Sequence, residues 1–164
     1  EYMYHKIALS KSSGGTTKPS QVVSCNARFE GSRYSNCKQE VAELYNEFLI
    51  QVGQLPEGSI VQFVSANTLV EDGVEVLEKH LNSIREATGG IIFIYDIFQI
   101  YRDTVVKEEV LKYIMTHGEK FHGEYGSLSW VIADETHMLN KFFEYNSNLS
   151  SRFPLVFSFE DYED

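Results

Sequence analysis

Residues 89–100 read GGIIFIYDIFQI. Two glycines precede a five-residue apolar run, Ile91 to Tyr95 with Phe93 at its centre, and the run stops at a single acid, Asp96. Apolar strands that end abruptly at a carboxylate often deliver it to a ligand site beyond the strand's carboxyl end. Here the residue just before the acid is a tyrosine, so the stretch carries either a working metal ligand or the remains of one.

The flanking sequence alternates between two periodicities. Upstream, Val22 to Phe29 predicts a short strand ending at Gly31, and Lys38 to Val52 places apolar residues at 41, 44, 45, 48, 49 and 52, the spacing of one helix face. Gly53 and Pro56 stop that helix. Ile60 to Val64 reads as a strand rich in β-branched and aromatic residues, and Val74 to Ala87 repeats the helical spacing at 74, 77, 81 and 84. Downstream, helices are predicted over Val105 to Phe121 and Met138 to Tyr145, and strands over Leu128 to Ala133 and Leu155 to Phe159. Strands alternating with helices, several apolar on both faces, predict an α/β fold: a parallel sheet with helices on both sides.

Composition bounds the rest. A chain of 164 residues predicts one domain, large enough to bury about two-thirds of its unfolded surface. The 43% hydrophobic and 13% aromatic content supplies a packed core. A net charge of −10, from 24 acids against 14 bases, argues against nucleic acid or an anionic membrane surface as the main partner. No apolar run approaches the roughly 18 residues of a membrane span, and no signal peptide is visible. Cys25 and Cys37 form no CxxC, and the histidines at 5, 80, 117, 122 and 137 have no metal-ligand spacing, so two reduced thiols in a cytoplasmic protein are expected and no metal centre. The first residue is Glu1 rather than Met, which suggests a processed or excised piece. Ser10 to Ser20, SKSSGGTTKPS, reads as a linker, which divides the chain into an N-terminal segment over 1–20 and a core domain over 21–164.

Three stretches, VAELYNEFLIQVGQLPEGSIVQFVSAN (41–67), GGIIFIYDIFQIYRD (89–103) and NSNLSSRFPLVFSFEDY (146–162), together resemble the CbxX/CfxQ-type AAA+ ATPases. The resemblance covers about 20–162, and its most specific part is NxxLxSRF followed by an apolar strand and Asp-Tyr. Lys38 and Tyr95, where that family's phosphate-loop lysine and metal-binding aspartate would fall, are 57 residues apart, as the family pattern requires. The resemblance implies a three-layer αβα P-loop NTPase-like sandwich around a five-stranded parallel sheet in the order 5-1-4-3-2, with 91–95 a central strand.

A working phosphate loop reads GxxxxGK[ST]: glycines let backbone N–H groups cradle phosphates, the lysine meets the β/γ-phosphates and the hydroxyl holds magnesium. This chain offers GSRYSNCKQE from Gly31, one residue longer than the motif. Gly31, Ser35, Cys37, Lys38 and Gln39 are therefore the candidate nucleotide-binding residues. Lys38 is retained, but Cys37 replaces the second glycine and should resist a left-handed turn, and Gln39 replaces the hydroxyl ligand. A second glycine-rich stretch, SGGTTK at 13–18, has Pro19 rather than a helix after it and is read as linker. At the strand end the family carries Asp-Glu, where this chain has Tyr95-Asp96. A phenol is a poor magnesium ligand beside a carboxylate, and Asp96 stands one methylene short of the residue that would orient the attacking water. The strand therefore carries the remains of a metal site. ATP or ADP is expected to bind weakly, with little help from Mg²⁺.

Other departures agree. Glu71-Asp72-Gly73-Val74 lacks the aromatic of the family's pore loop. Of the family's two arginines in LRSRF only Arg152 remains, and the resemblance implies it could act in trans on a neighbour's γ-phosphate; otherwise it is a helix-terminal surface residue making a salt bridge. Asp134, Glu135 and His137 follow a strand where a polar sensor residue would fall, and are read as a solvated loop. The expectation is a degenerate AAA+ module with a structural or regulatory role among other AAA+ domains or subunits, with or without a protein client. The alternatives are an active divergent ATPase using Lys38, Asp96 and Arg152, and a stand-alone interaction domain on the same fold.

Overall fold

The computed structural model describes residues 24–31, 37–117, 127–144 and 147–160. In chain order its elements are β1 (Ala27–Gly31), α1 (Cys37–Gln51), β2 (Ile60–Ser65), α2 (Ala66–Asp72), α3 (Glu75–Glu86), β3 (Gly89–Tyr95), a short 3-10 helix (Ile97–Arg102), α4 (Thr104–His117), β4 (Ser127–Asp134), α5 (Thr136–Glu144), α6 (Ser147–Ser151) and β5 (Leu155–Phe159). The five strands form one sheet in the order β2-β3-β4-β1-β5 with every pair parallel. Read from the other edge this is 5-1-4-3-2, the expected order. β3 is interior, flanked by β2 and β4, although the middle place belongs to β4.

Alternation along β3 explains its unbroken apolar run. Ile92 and Ile94 enter the larger core with α2 to α6, while Ile91 and Phe93 point to the opposite face under α1. A strand buried on both faces needs apolar residues at every position, and each such side chain contributes about 1.5–3 kcal/mol. The glycines ahead of the run have a packing reason. A Cβ on Gly90 would sit 2.0 Å from the backbone oxygen of Ile60, so only glycine lets β2 and β3 start side by side. The two faces are covered unequally among the described residues: α1 alone packs on Phe29, Phe93 and Val131, and all the other helices share the opposite face.

Several boundaries differ from those read in the sequence. β1 begins at Ala27, not Val22, because groups just before it are committed to side chains: the Tyr45 hydroxyl donates to the Cys25 carbonyl at 2.6 Å, and the Trp130 N–H donates to Asn26 Oδ1 at 2.8 Å. Residues 22–23 and the linker over 10–20 lie outside the described residues. The helix expected over Val105 to Phe121 is observed to His117, and 118–121 lie outside the described residues; so does Tyr145 of the helix that follows β4. Three short helical pieces were not expected: α2, the 3-10 helix and α6. Ser65 starts α2 by accepting the Asn67 N–H on its side-chain oxygen at 3.3 Å.

Candidate functional site

In a parallel sheet of this kind ligands bind beyond the carboxyl ends of the strands. β1 reaches that edge at Gly31, whose φ is +148° and whose Cβ, were there one, would stand 2.0 Å from the Phe159 carbonyl oxygen of β5. Strand packing alone therefore demands glycine here. After residues 32–36, among them the candidate Ser35, which lies outside the described residues, the chain re-enters as α1. Cys37 opens that helix, is exposed, and is not among the residues with positive φ, so the anticipated conflict with a left-handed turn does not arise at its position. Gln39 is exposed. Lys38 turns inward: it is 9% exposed, and its ammonium donates to the Gly31 carbonyl at 3.2 Å. Two of the predicted site residues, Gly31 and Lys38, are thus brought into direct contact.

β3 reaches the same edge at Tyr95, half-buried, its ring 6.4 Å from that of Phe93 and packed with the cluster under α1. Asp96 then takes a left-handed conformation, φ 54° and ψ 46°, which reverses the chain into the 3-10 helix. Its side chain makes no capping hydrogen bond, and its carbonyl accepts from Gln99 N at 3.0 Å. Aspartate is among the few residues that tolerate this region.

On the neighbouring strand the expectation of a solvated loop fails for Asp134. It is the last residue of β4, 3% exposed, and both carboxylate oxygens accept backbone N–H groups: Phe98 N at 2.8 Å and Glu135 N at 2.7 Å. Phe98 lies at the start of the 3-10 helix and Glu135 just before α5, where helical N–H groups have no partner in the helix itself. One carboxylate thereby ties the turn after β3 to the turn after β4. Beside it, burial and then the charges of Asp134 and Glu144 push the Tyr101 phenol up to about 12. Glu135 is half-buried and His137 exposed, 3.5 Å apart across an ion pair that forms when the imidazole is protonated. The clue to Asp134 was a repeated ending: Ile132-Ala133-Asp134 mirrors Ile94-Tyr95-Asp96.

Arg152 is elsewhere. It follows α6 and precedes β5, so it belongs to the amino end of the strands, a strand length of about 17 Å from the edge that carries Lys38 and Asp96. Its carbonyl accepts from Ser24 Oγ at 3.1 Å, and its guanidinium donates to the Met115 carbonyl in the last turn of α4 at 3.2 Å. The Met115 contact is the bond a helix end needs, its last carbonyls having no intrahelical donor. Among the described residues no group of three or more His, Cys, Asp or Glu is arranged to hold a metal ion, and no helix is long and apolar enough to cross a membrane.

No protein-family profile matches the chain. It is similar to stage V sporulation protein K of Bacillus subtilis (strain 168), 24% identical over 127 residues, which are 76% of this chain and 38% of that protein's length. Its fold is also that of two solved structures. One is the ORC2 protein of Aeropyrum pernix in ADPNP-ADP complexes, with a TM-score of 0.57 and 10% identity over 99% of this chain and 47% of that one. The other is domain III of the replication initiation protein DnaA of Thermotoga maritima, with a TM-score of 0.54 and 19% identity over 99% of this chain and 62% of that one. The five-stranded parallel sheet and these likenesses make the fold a three-layer α/β sandwich of the P-loop NTPase type.

Proposed function

We propose that this chain is a degenerate module of the AAA+ type, of the CbxX/CfxQ kind, that binds nucleotide weakly, hydrolyses little or none, and serves a structural or regulatory role beside other AAA+ subunits in the cytoplasm. The likeness to the sporulation protein and to a fold seen in ADPNP-ADP complexes supports the nucleotide-binding part. The observation that carries the degenerate part is Tyr95. At the end of β3, where the resemblance calls for a metal-binding carboxylate, a phenol is packed against Phe93. Gln39 stands at the other metal position, exposed and without a hydroxyl. Lys38, the retained lysine of the phosphate loop, already donates to the Gly31 carbonyl, so a phosphate would have to compete for it. The net charge of −10 supports protein partners rather than nucleic acid.

The location of Arg152 at the opposite end of the sheet supports a role only in trans, at a neighbour's site, because it cannot reach the chain's own pocket. A guanidinium is charged at any working pH, and its planar fork of N–H donors suits the oxygens of a phosphate.

Titration with a fluorescent ATP analogue, with and without Mg²⁺, tests the reading. Weak binding that is nearly indifferent to Mg²⁺ is expected, and micromolar, strongly Mg²⁺-dependent binding with turnover would refute it in favour of an active divergent ATPase. Restoring Cys37→Gly, Gln39→Thr and Tyr95→Asp together should tighten binding. Adding the chain's natural AAA+ partner to the same assay addresses Arg152. Arg152→Ala should lower the partner's ATPase with assembly intact, and an unchanged rate would leave Arg152 as a cap on α4.

A further inference from the structure

Strand β5 is an edge, paired with β1 alone among the described residues. Its sequence, LVFSF, contains no charge and no proline, the devices that ordinarily protect an edge from pairing with another chain. Its side chains alternate. Leu155, Phe157 and Phe159 are half-buried toward α1, and Phe157 and Phe159 stack against Phe29 at 4.8 and 5.3 Å. Val156 and Ser158 face the other side and are exposed, Val156 by 47%. The other edge, β2, exposes no large apolar side chain to that degree.

Behind Val156, level with it on β1, stands Arg28. Its guanidinium lies over the Phe143 ring of α5 at 4.6 Å, and its buried Nε has no acceptor among the described residues. A buried donor without a partner is costly, and Arg28 as a residue is only half-buried, so a carboxylate beside its guanidinium would offset part of that cost. One residue pair further along, Glu30 stands level with Ser158 and places a carboxylate on the same face.

We infer that the β5 edge is a docking site for an extended segment of a partner protein that joins the sheet as a sixth strand and places a carboxylate over Val156 to meet Arg28. An added strand would lie about 4.8 Å beyond β5, hence about 10 Å from β1, a gap that a glutamate and an arginine span together across a small valine. Apolar residues at alternate positions would complete the half-covered stripe of Leu155, Phe157 and Phe159. The position opposite Ser158 takes a basic residue, because Glu30 repels an acid there. The recognised pattern is apolar, acidic, apolar, basic, apolar, the strand-addition mode with charges fixing the register.

Two fluorescein-labelled peptides, Thr-Val-Glu-Val-Lys-Val-Thr and its reverse, cover both strand directions and are titrated into the full chain by anisotropy. Saturable binding by one of them below about 1 mM is expected. Replacing its Glu by Gln should weaken binding about tenfold in either direction of test, by peptide or by Arg28→Met, which keeps the aliphatic stem over Phe143. The peptide exchange leaves the protein untouched, so it decides the matter even if Arg28→Met fails to fold. Absence of binding by both peptides overturns the proposal, since the edge is then closed or occupied by the chain itself. Equal binding of the Glu and Gln peptides overturns the role of Arg28. A concentration-dependent dimer in sedimentation that the peptide does not dissociate assigns the edge to a second copy instead.

Discussion

Strands β3 and β4 run side by side and end alike, in Ile94-Tyr95-Asp96 and Ile132-Ala133-Asp134. At β3 the acid is half-buried, its backbone is left-handed and its side chain caps nothing. At β4 the acid ends the strand, is buried, and accepts two backbone N–H groups from the turns after both strands. Identical residue types at equivalent places therefore answer different demands. Asp96 suits its place chiefly through the backbone it can adopt, and Asp134 through the oxygens it supplies.

The comparison breaks or holds on Asp134→Ala, where the largest effect is expected. Removing the carboxylate leaves two N–H groups without acceptors, and about 2–4 kcal/mol of stability should be lost in chemical denaturation. Asp134→Asn retains one acceptor and should cost roughly half of that. At Asp96 the expected losses are smaller: about 1 kcal/mol for Asp96→Ala, the cost of holding alanine in the left-handed region, and near zero for Asp96→Asn. Equal losses at the two positions would erase the distinction drawn between them.

The finest probe is Tyr101. Its phenol is pushed up to about 12 by burial and by the charges of Asp134 and Glu144, so NMR of ¹³C-labelled tyrosine should show it titrating lower in Asp134→Asn and unmoved in Asp96→Asn. The sign for stability follows. The folded state holds the phenolic proton more tightly than the unfolded chain, whose value is near 10, so this contribution is complete below pH 10 and is lost as pH rises through about 12. A Tyr101 titration indifferent to Asp134→Asn would place the carboxylate's influence elsewhere.

Much of the fold was legible because the long elements carry their periodicity in the sequence. The double-sided burial of β3 is written in IIFIY, and α3 in the spacing of Leu77, Leu81 and Ile84. The strand order came from the family resemblance rather than from any spacing. What stayed hidden was short or long-range. Helices α2 and α6, of seven and five residues, are too brief to show a helical period. The bond from Phe98 to Asp134 joins residues 36 apart, and no local pattern announces it. Within the site, the positions of Gly31, Lys38 and Asp96 at one edge were foreseen, whereas the burial of Asp134 and the capture of Lys38 by the Gly31 carbonyl were not. Arg152 could be recognised as a residue type but not placed, because only the sheet's topology sets it at the far end.

The first strand of the sheet is also the one whose neighbours are made last. β1 lies between β4 and β5, and the bond that brings Trp130 to Asn26 spans 104 residues. During synthesis at about 5–20 residues per second, β1 would therefore wait roughly 5–20 s for a partner, while β2 and β3 can already pair with each other. Through that interval the apolar side chains of Ala27 and Phe29 have no sheet to enter. Closing so long a loop costs chain entropy before any contact rewards it, so slow pairing of β1 and a need for its protection until β4 and β5 arrive are built into the strand order itself.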